Sequence, residues 1–156
     1  MLMANETVAQ EYCTEEIPFV YRTHDNPDPE KVESLLTLLH NQGVKIQKAK
    51  EEITPKEIQQ IIESIEGLPN EAMISRLVLR SMKQARYSTE CTGHFGLAAK
   101  YYTHFTSPIR RYPDLQIHRI IKENLRGRLN AERIAHYQEI LPEVAEHSSK
   151  TERRAD

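Results

Sequence analysis

The chain has 156 residues, of which 38% are hydrophobic and 28% are charged, and its formal net charge is −2. This length predicts one domain or part of one. No apolar run approaches the roughly 20 residues that span a bilayer, and the first residues lack a signal-peptide pattern, so we expect a cytoplasmic protein without a membrane partner. Cys13 and Cys91 have neither a CxxC partner nor zinc-type spacing, which predicts ordinary buried thiols in a reducing compartment.

The charges are unevenly distributed along the chain. Residues 72–128 carry 11 Lys and Arg against 3 Asp and Glu, whereas residues 1–71 carry 6 against 14 and residues 129–156 carry 4 against 6. A strongly basic middle segment is expected of a surface that meets a polyanion. The alternative is a dipolar protein whose acidic and basic parts pack together.

The first third of the chain predicts two helices and a strand. Residues 1–15 have a mostly helical period and start as if inside an element, which indicates a piece of a larger protein. Residues 17–21 form a short apolar run that predicts a strand, with Pro18 at its edge or start. Asp28 is predicted to cap a helix that has Pro29 at its first position and ends near residue 43.

Two further helices are predicted between residue 54 and about residue 85. Thr54 caps the first, which has a proline at its first position and ends at Gly67. Asn70 opens the second, which runs to about residue 85. Its outer face carries a basic stripe, Arg76, Arg80 and Lys83, which more often than not is simply solvated.

The last part of the chain combines short strands with two helices. Residues 87–106 are rich in aromatic and small residues and predict two or three short strands. Ser107 as N-cap and Pro108 as the first helical residue predict a helix over residues 108–126. Asn130 caps a last helix, which Pro142 kinks or restarts. The predicted fold class is therefore α+β, mainly helical with a few short strands.

Arg110 and Arg111 are the unusual feature of the predicted central helix, because they fall in its first turn. The helix macrodipole disfavours cations there. Two guanidinium groups beside exposed N–H groups indicate an anion, and phosphate fits best. The alternative is that both arginines pair with carboxylates elsewhere on the surface.

No metal site or hydrolase triad is predicted from these residues. Turn and cap duties explain Asp25 and Asp28, and the spacing of the histidines at 94, 104 and 118 does not fit a compact zinc site. Ser107, His104 and Asp114 could form a triad by type, but Ser107 lacks the Gly-x-Ser-x-Gly elbow and is better explained as a cap.

The central stretch resembles the signature of the ribonuclease II/ribonuclease R family. The matching residues are His94-Phe95-Gly96-Leu97, Tyr102-Thr103-His104-Phe105-Thr106-Ser107-Pro108-Ile109-Arg110-Arg111-Tyr112, Asp114 and His118. Flanking blocks at residues 1–9, 18–24 and 151–155 are similar to the family as well. Residues 1–156 therefore resemble the C-terminal part of one RNB-type catalytic domain, incomplete and nearer to the ribonuclease R branch.

This resemblance implies a processive 3′-to-5′ hydrolytic exoribonuclease that degrades single-stranded RNA to nucleoside 5′-monophosphates at a magnesium site. It implies a catalytic role at the scissile phosphate for Arg110 and a contact with the 3′-terminal ribose for Glu152. Other RNA contacts are implied for Arg111, His104 and Ser107. Tyr112 and Asp114 are expected to build the turn and orient Arg110.

The family's metal-binding aspartates lie upstream of the first matching block, so the Mg²⁺ ligands are expected outside this chain. The chain alone is therefore predicted to be inactive. An alternative is a non-catalytic RNA-binding or interaction module on the same scaffold. We also expect some self-association, because a sheet cut from a larger domain would expose an edge and an apolar face.

Overall fold

A computed structural model describes residues 1–44 and 52–155, and these residues form six α-helices and one two-stranded antiparallel sheet. The predicted α+β class is therefore confirmed. In chain order the elements are α1 Leu2–Thr14, β1 Tyr21–Thr23, α2 Pro29–Asn41, α3 Pro55–Ile65, α4 Glu71–Ser81, β2 Arg86–Ser88, α5 Tyr112–Leu125 and α6 Ala131–Ala155. None of the helices in these ranges has the length and apolarity that a bilayer span requires. The chain divides into two compact units.

The first unit comprises residues 1–24, 85–94 and those from 99 onward, and its centre is the β1–β2 ribbon. Arg22 pairs with Tyr87 in the middle of that ribbon. Helices α5 and α6 pack against each other, and α6 packs on β2. The buried core of this unit is Ala9, Tyr12, Phe19, Val20, Tyr21, Tyr87, Ile117, Ile120, Tyr137, Leu141 and Ala145.

The second unit, residues 25–84 and 95–98, is built from α2, α3 and α4 with a short 3₁₀ turn, Phe95–Leu97. Both predicted caps at the starts of α2 and α3 are confirmed: Asp28 accepts from the Glu30 N–H, and Thr54 accepts from the Glu57 N–H. Asn70 precedes α4 as predicted, but its amide donates to Gln42 instead of capping the helix.

The strands differ in extent from the prediction. β1 begins where the predicted strand at residues 17–21 ends, because Pro18 has no N–H for a ladder and the Val20 carbonyl accepts from the Thr103 hydroxyl instead. Within residues 87–106, β2 supplies the regular strand. His94 adds only single bridges to His24 and Ala99.

The central helix begins later than predicted. α5 starts at Tyr112 with Arg111 as its N-cap, so the prediction that Ser107 caps a helix from residue 108 is wrong. A helix from residue 108 would carry Pro113 in its interior, where proline loses a hydrogen bond and clashes with the preceding turn. Starting at Tyr112 places Pro113 in the first turn, where its missing N–H costs nothing. Arg110 therefore lies in the turn before the helix.

Helix α6 is continuous over Ala131–Ala155, so the predicted restart at Pro142 did not occur. Its first turn is capped as predicted, since the Arg133 N–H donates to Asn130 Oδ1 at 2.9 Å. The helix brings Ser149 and Glu152, three residues apart on the same face, to the β1–β2 ribbon.

Candidate nucleic-acid interface

The turn before α5 is organised by the carboxylate of Asp114, which is completely buried. Its Oδ2 accepts three hydrogen bonds: from the Ser107 N–H at 2.9 Å, and from Arg111 Nη2 at 2.9 Å and Nε at 3.2 Å. The Arg111 N–H donates in addition to the Ser107 carbonyl. Asp114 therefore links the two ends of the turn, Ser107 and Arg111, and fixes the backbone of the residues between them.

The two adjacent arginines have different environments. The Arg111 side chain is 20% exposed and is paired with Asp114. Arg110 is exposed, and its guanidinium has no hydrogen bond or ion pair among the described residues. Its neighbour Ile109 is 99% exposed. Arg111 thus pairs with a buried carboxylate of the same turn and not with one elsewhere on the surface. Arg110 has no carboxylate partner among the described residues and is available to an anion.

Of the two predicted supporting residues, Asp114 builds the turn as expected, through Ser107 and Arg111. Asp114 orients Arg111 and not Arg110. The Tyr112 hydroxyl accepts from the Gln116 amide at 2.7 Å, on the next turn of α5. Arg110 is consequently positioned by the backbone of the turn, which Asp114 holds through Ser107 and Arg111.

A second cluster centres on an ion pair between two residues that lie far apart in the sequence. Arg22 Nη1 and Nη2 donate to the two carboxylate oxygens of Glu152 at 2.7 and 2.8 Å. The guanidinium of Arg22 lies 4.7 Å from the centre of the Tyr87 ring. The Tyr87 hydroxyl is in turn 2.9 Å from His104 Nδ1. Glu152 and His104, 48 positions apart in sequence, are thus connected through two residues that were not predicted as site residues.

Charged residues of both clusters affect the pKa of His104. Burial is the main cause that lowers the pKa of His104 to about 4, and the cations Arg111 and Arg22 lower it further. The ring is therefore neutral near pH 7, so any RNA contact that it makes is a hydrogen bond and not an ion pair. When the Tyr87 hydroxyl donates to Nδ1, the other ring nitrogen, Nε2, carries the hydrogen and can donate.

Arg22 and Tyr87 were missed because neither is unusual in its own sequence segment. Arg22 follows an apolar run, and Tyr87 stands in an alternating one. The signal that could have found Arg22 is its place in the block at residues 18–24 that resembles the family. Its pairing with Tyr87 depends on the antiparallel register, which single-sequence patterns do not specify.

The described residues do not fit a magnesium site. They contain no group of three or more His, Cys, Asp or Glu side chains that could hold a metal ion. Asp114 is committed to the turn, and Asp28 caps α2. His118 contacts the Phe105 carbonyl at 2.7 Å and stacks on the Phe105 ring. No step of catalysis can therefore be assigned to a metal held by these residues.

Comparisons with known proteins show which family the chain belongs to. Residues 1–127 match the family model described as the RNB domain. The chain belongs to the RNB domain family. It is 46% identical over 155 residues to ribonuclease R 1 of Lactococcus lactis subsp. lactis, covering 99% of this chain and 19% of that protein. It is 49% identical over 157 residues to ribonuclease R of Aquifex aeolicus, covering all of this chain and 22% of that protein.

Solved RNB structures have the same fold. Mycoplasma genitalium RNase R in complex with ribose-methylated single-stranded RNA is 31% identical with a TM-score of 0.88, over 97% of this chain and 24% of that one. Yeast Ssd1, described as a pseudonuclease, is 26% identical with a TM-score of 0.77, over 94% and 18%. The chain thus spans about a fifth of the length of the curated relatives that it matches.

Acidification is expected to destabilise the first unit. Burial lowers the pKa of both His94 and His104 to about 4, below the unfolded value of about 6.5. The unfolded chain therefore binds more protons between pH 6.5 and pH 4. The contribution of the two neutral histidines to the free energy of unfolding is fully present above pH 6.5. It is lost as the pH drops toward 4, by at most about 1.4 kcal/mol per pH unit per histidine before solvent screening.

Urea unfolding at pH 7.0 and pH 5.0 measures this effect. We expect a lower midpoint at pH 5.0, and a smaller difference in the variant His104→Gln, whose side chain does not titrate. The exposed His136, changed to Gln, is the matched control and should leave the pH difference intact. Equal midpoints at the two pH values would contradict the burial argument.

Proposed function

We propose that this chain is part of a hydrolytic exoribonuclease that degrades single-stranded RNA from its 3′ end to nucleoside 5′-monophosphates. The observation that carries the proposal is Arg110, an exposed guanidinium without a partner in the part of the chain that the structure describes, in a turn held by the Asp114–Arg111 pair of an RNB fold. The relatives at 46% and 49% identity are named ribonuclease R. Arg110 would bind the scissile phosphate through its fork of N–H groups and stabilise the charge that develops there.

The other site residues have proposed roles that follow from their surroundings. Glu152 accepts hydrogen bonds from ribose hydroxyls at the 3′ end, which favours RNA over DNA. Arg111 and Ser107 contribute to RNA binding through the turn that they form, because the Arg111 guanidinium and the Ser107 N–H are already bonded to Asp114. His104 acts as a neutral donor.

Magnesium dependence belongs to the same proposal, with ligands from outside the described residues, which offer no cluster of suitable side chains. The 156-residue chain is then expected to bind RNA without cutting it. Incubation with 5′-labelled single-stranded RNA and Mg²⁺, followed by gel electrophoresis, checks this. Shortening of the labelled RNA beyond a mock-purified control would contradict the placement of the metal ligands outside the chain. Cytoplasmic location is likewise proposed, and two unpaired cysteines agree with a reducing compartment.

A non-catalytic RNA-binding module is the second candidate, and the similarity to Ssd1, a pseudonuclease, favours it. The protein encoded by the whole reading frame distinguishes the two. Aspartates spaced as a magnesium site upstream of these residues, together with hydrolysis of single-stranded RNA, would support the exoribonuclease. RNA binding without hydrolysis by that protein would support the module.

Self-association through exposed apolar side chains is a further part of the proposal. In the second unit Leu79 is 71% exposed, and Met73, Ile62 and Leu68 are each more than 40% exposed. Such side chains favour association at high concentration. Multi-angle light scattering measures it, and a monodisperse monomer at the highest attainable concentration would contradict it.

A further inference from the structure

Arg22 contacts Tyr102, Tyr87 and Glu152, although it was not predicted from the sequence as a site residue. Its backbone belongs to β1, and its N–H donates to the Tyr102 carbonyl. Its side chain is only 11% exposed, because it lies between the Tyr87 ring and the carboxylate of Glu152. Glu152 itself is 43% exposed. The arginine is therefore covered, while the carboxylate that it binds is accessible to a ligand.

The carboxylate of Glu152 is held in place from two directions. Ser149, three residues earlier on α6, accepts the Tyr87 N–H at 2.9 Å, which anchors the helix to β2. The two-pronged bond from Arg22 then fixes the end of the glutamate side chain. Each carboxylate oxygen uses one lone pair on Arg22 and keeps a second for another donor. On an RNA strand, the ribose hydroxyl groups are donors that can bond to such a carboxylate.

The ion pair also removes an electrostatic obstacle. An unpaired carboxylate beside an RNA strand would repel the phosphates, because like charges brought together are destabilising. Arg22 neutralises Glu152, but its 11% exposure gives phosphates little access to its own guanidinium. Arg22 therefore differs in role from Arg110, which is exposed and pairs with none of the residues that the structure describes.

We propose that Arg22 is a positioning residue that sets the preference for ribose over deoxyribose at the 3′ end of the strand, by holding Glu152 where it accepts the 2′-hydroxyl. This inference rests on the proposed function, which places the 3′-terminal nucleotide at Glu152. It assigns to Arg22 a role in specificity and none in direct contact with RNA.

The test compares two 5′-fluorescein oligoribonucleotides that differ only in the 2′-hydroxyl of the last nucleotide. Fluorescence anisotropy gives the ratio of their dissociation constants for the 156-residue chain. We expect the unaltered chain to bind the all-ribose strand roughly tenfold more tightly, the size of one hydrogen bond to a charged group. Arg22→Gln should bring this ratio close to one, and Arg22→Lys, which keeps the charge without the fork, should give an intermediate ratio.

The variant Glu152→Gln should lower the ratio as well, and the double variant should lower it no further than Arg22→Gln alone. Arg133 supplies a control, because it also makes two hydrogen bonds to one carboxylate, from Nε and Nη2 to Glu123, and its guanidinium lies 5.2 Å from the centre of the Tyr137 ring. It lies 19 residues before Glu152 on α6, about 28 Å along the helix axis. Arg133→Gln should leave the ratio unchanged.

The possible failures are distinguishable. If the unaltered chain binds neither strand, the proposed function is overturned, and the inference falls with it. If it binds both strands equally, or if Arg22→Gln weakens both strands by the same factor, RNA binding stands and the inference is overturned. Urea unfolding of each variant separates a changed ratio from lost folding, and Glu152→Gln, at an exposed side chain, tests the same ratio if Arg22→Gln does not fold.

Discussion

Replacing Asp114 by alanine is expected to lower the free energy of unfolding by about 3 kcal/mol. The carboxylate is fully buried and accepts three hydrogen bonds, and its removal leaves the Ser107 N–H and a mostly buried Arg111 guanidinium without partners. Such groups lose their hydrogen bonds to water on folding and gain no partner within the protein in exchange. Urea unfolding monitored by circular dichroism measures the loss.

A second carboxylate gives the matched control. Glu146 pairs with Lys150 one turn along α6, but both side chains are more than half exposed. Glu146→Ala should therefore leave the urea midpoint nearly unchanged. A change of the same small size in Asp114→Ala would show that the buried pair does not hold the turn. Asp114→Asn, which keeps an acceptor but loses the charge, should fall between the two.

Replacing Arg110 by alanine is expected to slow RNA hydrolysis about 100- to 1000-fold in the proposed exoribonuclease, the size of effect seen when one charge-stabilising donor is removed. Because the Arg110 side chain is exposed and its guanidinium is bonded to no described residue, the fold should be unaffected. The loss should appear in the single-turnover rate at saturating RNA, since the developing charge on the phosphate exceeds that of the bound substrate. Single-turnover hydrolysis of 5′-labelled RNA measures it.

Arg126 serves as the control for Arg110. It is equally exposed and lies at the opposite end of α5, about 20 Å along the helix axis. Arg126→Ala should hydrolyse RNA at the unaltered rate, whereas Arg110→Lys, with one charge but no fork, should recover only part of the loss. Hydrolysis at full rate by Arg110→Ala would remove this arginine from the catalytic machinery.

The two predictions assign opposite duties to neighbouring arginines. In these predictions Arg111 is needed for folding because it bonds one oxygen of a buried carboxylate, and Arg110 is needed for chemistry because its guanidinium has no partner among the described residues. The sequence presents them as an equivalent pair. What separates them is the start of α5 at Tyr112, which places Arg111 at the N-cap within reach of Asp114 and leaves Arg110 one residue outside.

The sequence by itself determined the features that are encoded within a few residues. The caps at Asp28, Thr54 and Asn130 are of this kind, because each cap and the N–H that it bonds are two or three positions apart. The stretch around Arg110 also indicated membership of the RNB family. The late start of α5 could have been predicted in the same way, from the cost of a proline inside a helix.

Only the tertiary structure decided the partners of Glu152 and His104. Arg22 and Glu152 are 130 positions apart, and Tyr87 and His104 are 17 apart across an irregular segment. Pairing at such distances follows from strand register and from how α6 packs on β2, neither of which a local pattern specifies. Arg110 was a candidate from the sequence, although only the fold separated it from Arg111. Arg22, whose covered guanidinium holds Glu152, was recognised only in the fold.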